Sequence, residues 1–304
     1  MIRKATAADK QAIYQIWKLL FSHDDNGYTD YYFAHRYKTE HTWVVEEDGK
    51  VVSTLQMNPH TIVLGGKPIR TSLILGVATL PEYQKRGYMK LLMKEALEVA
   101  QKRELVTLIQ AYNPAIYRPF GFQMIYHRQI LSYDSAQIQQ YKNLKVEHYF
   151  HEKKFAALYQ EFTTRFDGYY KRDEAYYKQL ETEVKSEQGK FAVYRNAENQ
   201  IEGYMVYYLT KEQCEAREII YLNSWALYSL IGFASSLKPK LDIHTSHSEQ
   251  VLKLIPGGSV QPLPFMMAKV NDYSLLNMTY RSAVQTVEEA FAISGKPLWM
   301  HEYA

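Results

Sequence analysis

Between Ser72 and Val99 the sequence runs without a break from the apolar stretch Ser72–Ala78, through Thr79-Leu80-Pro81-Glu82-Tyr83, into the basic turn Gln84-Lys85-Arg86-Gly87-Tyr88-Met89. Apolar residues then recur at helical spacing, at Leu92, Met93, Ala96 and Val99. A buried-type strand that delivers a single-glycine turn onto an amphipathic helix demands a layered mixed α/β arrangement, because both elements have one apolar face to cover. It also makes an anion site. Amides of the first helical turn have no partner within the helix, and the helix dipole adds partial positive charge, so a pyrophosphate can be held there. Lys85 and Arg86 add formal charge, and Gly87 lets backbone come close to phosphate.

The residues before this stretch predict helices and then hairpins. Thr6 and Asp9 have capping-box spacing ahead of Ile13, Trp17 and Leu20, which predicts a helix over about residues 8–21. A polar, Gly-broken loop through Asp24 follows and leads to a second helix. From Trp43 the pattern becomes β, with turns at Asp48-Gly49 and Gly65-Gly66. Past the helix, Leu105–Ile109 reads as a strand and Asn113-Pro114 as a turn.

Together, Gln84-x-x-Gly87-x-Met89 and, later, Tyr117-Arg118-Pro119-Phe120-Gly121-Phe122 resemble the GNAT acetyltransferase superfamily. Its acetyl-CoA loop has the form Gln/Arg-x-x-Gly-x-Gly/Ala, and Met89 stands where a small residue is usual. The resemblance implies that Gln84, Lys85, Arg86, Gly87, Tyr88 and Met89 hold the pyrophosphate of acetyl-CoA. It further implies that Val77, Ala78 and Thr79 pair with the pantetheine arm, Asn113 lies beside it, and Tyr117 protonates the departing thiolate. A phenol is a weak acid that still carries its proton at neutral pH, which suits that role. The acceptor implied is a primary amine, on a small molecule, an aminoglycoside-like compound or a lysine side chain. The alternative is a CoA-binding sensor or scaffold without turnover.

Beyond residue 135 the pattern starts again. An amphipathic stretch at Phe155–Phe166 and a Tyr-rich helical stretch at Asp173–Thr182 precede a hairpin, Phe191–Tyr194 and Tyr204–Leu209, about the turn Ala197–Gln200. A strand Ile219–Leu222, a helix Trp225–Ser235 capped by Ser224, a strand Leu241–His244 and a helix near Glu249–Leu254 follow. Residues 256–264 read as a loop, Met266–Val270 as a strand, and Val284–Ile293 as a helix. The expected fold is therefore α/β with a mixed sheet, a GNAT fold in tandem GNAT-like domains with a short C-terminal tail. The divisions are 1–135 for the catalytic domain, 136–272 for a degenerate copy, and 273–304 for the last helix and tail.

This order is similar to the multidomain acetyltransferases of the enhanced intracellular survival type, in which a sterol-carrier-like domain follows and the terminal carboxylate serves as general base. Here residues 274–304 are too few for such a domain, yet Leu298-Trp299-Met300-His301-Glu302-Tyr303-Ala304 is aromatic enough to be buried. The resemblance thus offers the Ala304 carboxylate as a base; His301, Glu302 and Asp24 are further candidates for that base, and the alternative for Asp24 is to attract a cationic amine.

Composition narrows the alternatives. Basic and acidic residues number 36 and 33 and are interspersed, which gives no basic patch for nucleic acid or for an aminoacyl-tRNA substrate. The single cysteine, Cys214, allows no internal disulfide; with no apolar stretch of membrane-spanning length, a cytoplasmic protein is expected, with no membrane partner. Cys214 has no adjacent histidine to activate it. His244-x-x-His247 has near-metal spacing without a third ligand, so no metal is expected. Tyrosine outnumbers phenylalanine 27 to 12, often in pairs, which fits half-buried rings or a polar pocket. Exposed aromatic faces on tandem domains are compatible with a homo-oligomer.

Overall fold

The computed structural model describes residues 1–21, 26–111, 113–141 and 145–302. From the amino end the elements are β1 (Ile2–Lys4), α1 (Lys10–Phe21), α2 (Tyr28–Tyr31), β2 (Thr42–Glu47), β3 (Lys50–Leu64), β4 (Lys67–Thr79), α3 (Tyr88–Gln101) and β5 (Val106–Gln110). Next come β6 (Gln123–Asp134), β7 (Val146–Glu147), α4 (Glu152–Thr163), β8 (Tyr169–Tyr170), α5 (Glu174–Ser186), β9 (Lys190–Arg195), β10 (Ile201–Leu209) and β11 (Gln213–Tyr221). The chain ends with α6 (Ser224–Ser235), β12 (Lys240–Ser246), α7 (Val251–Leu254), β13 (Ser259–Val270), α8 (Tyr273–Tyr280) and α9 (Val287–Phe291). Two compact units result, one from the described residues of 1–125, 265–294 and 302, the other from those of 126–264 and 295–301.

Local chemistry sets the first unit. The Asp9 carboxylate accepts from the Thr6 amide at 2.7 Å and from the Arg3 guanidinium at 2.7 and 2.9 Å, completing the capping box ahead of α1. Asp48, Gly49, Gly65 and Gly66 all have positive φ, the geometry that lets two-residue turns follow the strand twist. Strand order is β1-β2-β3-β4-β5-β13, antiparallel throughout except for parallel β4 and β5. Alternation along the strands serves two cores on opposite faces. Leu55, Met57, Ile74 and Ile109 meet Leu92, Met93 and Ala96 of α3, while Val44 and Leu75 meet Ile13, Ile16, Trp17, Tyr32 and Phe33.

The second unit repeats this plan. Its order is β7-β9-β10-β11-β12-β6, again antiparallel except for one parallel pair, β11 and β12, which α6 connects as α3 connects β4 and β5. In each unit the strand beside the crossover's second strand is contributed from elsewhere in the chain: β13 in the first, β6 in the second.

Several sequence expectations need correction here. Strand β11 begins at Gln213 rather than Ile219, because Cys214, Ala216 and Glu218 alternate inward from a stretch that looks polar. Cys214 is therefore a buried strand residue whose thiol burial pushes up to about 12, which leaves it unreactive. Strand β13 begins at Ser259, inside the expected 256–264 loop; Pro262 and Pro264 precede Met266, where pairing with β5 starts. Helix α6 is capped by Asn223, not Ser224, since the Asn223 side chain accepts from the Ala226 amide at 2.9 Å. Helix α8 is an addition, capped by Asp272, and the helix expected over 284–293 is confined to Val287–Phe291.

His244 and His247 stand in different surroundings. His244 is buried, its Nε2 lies 3.0 Å from the Glu215 carboxylate, and its Nδ1 accepts from Arg128. His247 is on the surface, and no metal-holding cluster of His, Cys, Asp or Glu occurs among the described residues. Burial lowers the His244 pKa, the Arg128 charge adds to the effect, and the Glu215 contact opposes it only in part. The unfolded chain therefore binds a proton more readily than the folded one. This stability is complete above the unfolded value near 6.5 and is lost as pH falls below it, by up to about 1.4 kcal/mol per pH unit. Thermal melts at pH 7.5, 6.0 and 5.0 should show a falling midpoint; a flat profile across that range would contradict the assignment of a neutral, buried His244.

Candidate active site

The site is built on a defect in β4. Register between β3 and β4 slips so that Thr54 faces Ala78 while Gln56 faces Leu75, which places Gly76 and Val77 in a bulge opposite Leu55. Gly76 has φ +58, and a Cβ there would lie 2.0 Å from Gln56 Oε1 and 2.1 Å from the Trp17 ring, so no other residue fits. Strands β4 and β5 pair only over Thr71–Ile74 and Val106–Ile109. Beyond Ile74, β4 continues to Thr79 with no described strand on that side, and its backbone edge is open. The other edge stays anchored, since Ser53 Oγ donates to the Ala78 carbonyl at 2.7 Å and lies 2.7 Å from Thr79 Oγ1.

The turn after β4 is shaped by two left-handed residues, Lys85 at φ +63 and Gly87 at φ +85. Gln84 Nε2 donates back to the Thr79 carbonyl at 3.2 Å and closes the turn. Gly87 is the N-cap of α3 and has no side chain to offer the first turn, whose first intrahelical bond is from Leu91 to the Gly87 carbonyl. Amides 88–90 are thus without a helical acceptor. A Cβ on Gly87 would meet nothing within 4 Å, so glycine serves the positive φ and keeps this face clear. Such a donor set, with an unobstructed approach, fits a diphosphate.

Charge at the turn differs from the sequence expectation. Arg86 Nη1 is 2.9 Å from Glu47 Oε1, its Nη2 donates to the Glu82 carbonyl at 3.1 Å, and it lies over the Tyr83 ring. Tyr88 donates to the other oxygen of Glu47. Glu47, which the sequence did not single out, therefore neutralises Arg86, and Lys85 carries the exposed charge of the turn.

Val77, Tyr83, Tyr88, Met89 and Tyr117 are all half-buried side chains packed on the same apolar cluster under α3, so the β4 edge, the turn and Tyr117 border one surface. Asn113 caps a short turn, accepting from Ala115 at 3.2 Å, and the chain then places Tyr117 edge-on to buried Phe122. Gly121, at φ +89, makes the reversal into β6. Burial raises the Tyr117 phenol pKa above its usual value. Asp24 and Ala304 lie outside the described residues. His301 is buried in the second unit, where its Nε2 donates to the Arg217 carbonyl at 3.0 Å.

Family models agree with this architecture. An acetyltransferase (GNAT) domain matches residues 1–125, and a second acetyltransferase (GNAT) domain matches residues 168–270. Among solved structures, a GCN5-related N-acetyltransferase from Anabaena variabilis is similar with a TM-score of 0.75 at 19% identity, over 90% of this chain and 73% of that one. One from Kribbella flavida gives 0.73 at 17% identity, over 91% and 73%. Eis1 from Mycobacterium abscessus gives 0.68 at 13% identity, over 91% and 75%. A search of curated protein sequences finds no match. The chain is thus an acetyl-CoA-dependent acyltransferase. It belongs to the GNAT acetyltransferases and carries two GNAT domains. Among the described residues no helix is long and apolar enough to cross a membrane.

Proposed function

We propose that the first GNAT domain transfers an acetyl group from acetyl-CoA to a primary amine by direct attack, with Tyr117 as the acid for the leaving thiolate. The carrying observation is the open β4 edge, Val77–Thr79, running straight into a glycine-capped helix start with Tyr117 on the same cluster. Amides of residues 88–90 and the Lys85 ammonium would hold the pyrophosphate, with Gln84 and Met89 shaping the turn and Arg86 and Tyr88 fixed by Glu47. The β4 backbone would accept the pantetheine arm as an added strand, with Asn113 on the far side. Bound there, the thioester supplies an activated acetyl carbonyl and a thiolate leaving group. Positioning and proton delivery are the protein's part.

Two measurements test this reading. Thiol release from acetyl-CoA, followed against aminoglycosides, polyamines and lysine peptides, should show turnover with at least one amine class. Failure to bind acetyl-CoA at all would remove the proposal, and binding without any turnover would leave a CoA sensor. Gly87→Val should raise the KM for acetyl-CoA roughly 5–30-fold, the equivalent of about 1–2 kcal/mol for forcing a branched residue into the left-handed region. An unchanged KM would place the phosphates elsewhere.

A further inference from the structure

The second unit contains the same opening as the first, and it is filled. Strands β11 and β12 pair only over Gln213–Ala216 and Lys240–Ile243. From Arg217 on, β11 keeps β10 on one side while its other edge parts from β12, as β4 parts from β5. Into this gap comes the chain's own segment Pro297–His301. On one wall, His301 Nε2 donates to the Arg217 carbonyl of β11 at 3.0 Å. On the other, Ser246 Oγ at the end of β12 donates to the Leu298 carbonyl at 3.4 Å. The segment also pairs as a strand with Asp167, whose amide donates to the Pro297 carbonyl at 2.9 Å and whose carbonyl accepts from the Trp299 amide at 3.0 Å.

Its side chains are equally committed. Trp299 Nε1 donates to the buried Glu249 carboxylate at 3.2 Å, and the indole packs edge-on to Phe162 and Tyr159 at 5.3 and 5.7 Å. Arg172, itself paired with Glu218, donates to the His301 carbonyl. Trp299 and His301 are 1% exposed, whereas Ser294–Pro297 just before them are exposed. The phosphate end of the opening is closed too. Where α3 begins with a bare glycine, α6 begins with Asn223, whose side chain already takes the Ala226 amide and whose Nδ2 donates to Glu202 at 2.8 Å. A capped helix start facing a carboxylate repels a diphosphate rather than holding it.

We infer that the opening of the second GNAT domain is a peptide slot, occupied by Pro297–His301 with Trp299 as its anchor, and is not a second acyl-CoA site. The slot recognises the segment's backbone through Asp167, Ser246 and Arg172, one large indole, and a histidine side chain two residues further on that reaches the β11 wall. The tail thus behaves as a built-in ligand of that domain.

A protease-recognition sequence inserted between Ser294 and Gly295, in the exposed approach to the slot, allows the full-length protein to fold before it is cut. After cleavage, the peptide of residues 295–304 should remain with the body through gel filtration at micromolar concentration, as read by mass spectrometry of the body peak. In the same cleavable chain Trp299→Ala should reduce retention at least about tenfold, since loss of so large a buried group costs several kcal/mol. Release of the wild-type peptide on cleavage overturns the slot, and equal retention of the Trp299→Ala peptide overturns the anchor. Equilibrium dialysis of labelled acetyl-CoA against the uncut chain should give no more than one molecule bound per chain; two would overturn the closed second site. Absence of any binding there counts against the first domain's proposed chemistry and not against the slot.

Discussion

Tyr117→Phe should lower kcat about 10²–10⁴-fold, the range for loss of a positioned general acid, with the KM for acetyl-CoA changed little. The substitution removes one hydroxyl and keeps the ring that packs on the α3 cluster and against Phe122. That hydroxyl has no hydrogen-bond partner among the described residues, so the variant should melt with the wild type. Burial raises the phenol pKa, which keeps the acid protonated well past neutral pH. Activity should therefore rise with pH as the acceptor amine loses its proton, and Tyr117 should impose no decline below pH about 10. Single-turnover thiol release on the purified variant across a pH series, with acetyl-CoA binding and thermal melts measured separately, checks these points. A variant within about threefold of wild type would mean that water or another group protonates the thiolate; a factor of three is well under the smallest expected effect of a general acid.

How much of this was legible beforehand follows the range of the interactions. The capping box at Thr6 and Asp9, the turns at Asp48-Gly49 and Gly65-Gly66, and the glycine-capped start of α3 are local, and each shows its structural reason within a few residues. Gly87 could be singled out because a glycine in a basic turn lets backbone approach phosphate, and the structure adds that its φ is positive. Gly76 could not be read so easily. It sits inside an apolar run, and its necessity comes from Trp17 and Gln56, which approach it from other elements. A lone glycine within a strand pattern was the available signal. Glu47 was likewise silent in the sequence, because its pairing with Arg86 and Tyr88 exists only once β2 lies beside the turn.

The second half was harder for the same reason. Its strand order matches that of the first half pairing by pairing, but order is set by long-range ladders that leave no repeating motif in the sequence. Polar residues along β11 hid a strand because Glu218 is buried against Arg172 and half-buried Glu215 pairs with His244, pairings that no hydropathy pattern reports. The tail was readable as aromatic and buriable, but not as the occupant of the second unit's opening.

That buried polar core yields the other large expected effect: Arg172→Met should destabilise the protein by about 3–5 kcal/mol, the cost of leaving a buried charge without its partner. Arg172 and Glu218 side chains are 1% and 7% exposed and meet at 2.8 Å. Glu218 also accepts from Tyr204 at 2.7 Å, and Tyr204 meets Tyr177 at 2.9 Å, so the carboxylate would keep one neutral donor but lose its counter-charge. The guanidinium further lies 4.5 Å over Tyr159 and 5.4 Å over Trp299, contacts that methionine fills only in part. A midpoint lower by roughly 6–20 °C is expected from the usual 2–4 °C per kcal/mol for a domain of this size. Adding Glu218→Gln to Arg172→Met should recover part of the loss, because the stranded charge then disappears while the Tyr204 bond survives. Melting curves of the two single variants and the double variant decide the matter. If the double variant is no more stable than Arg172→Met alone, the penalty lies in lost packing around the tail and Tyr159 rather than in an unpaired carboxylate.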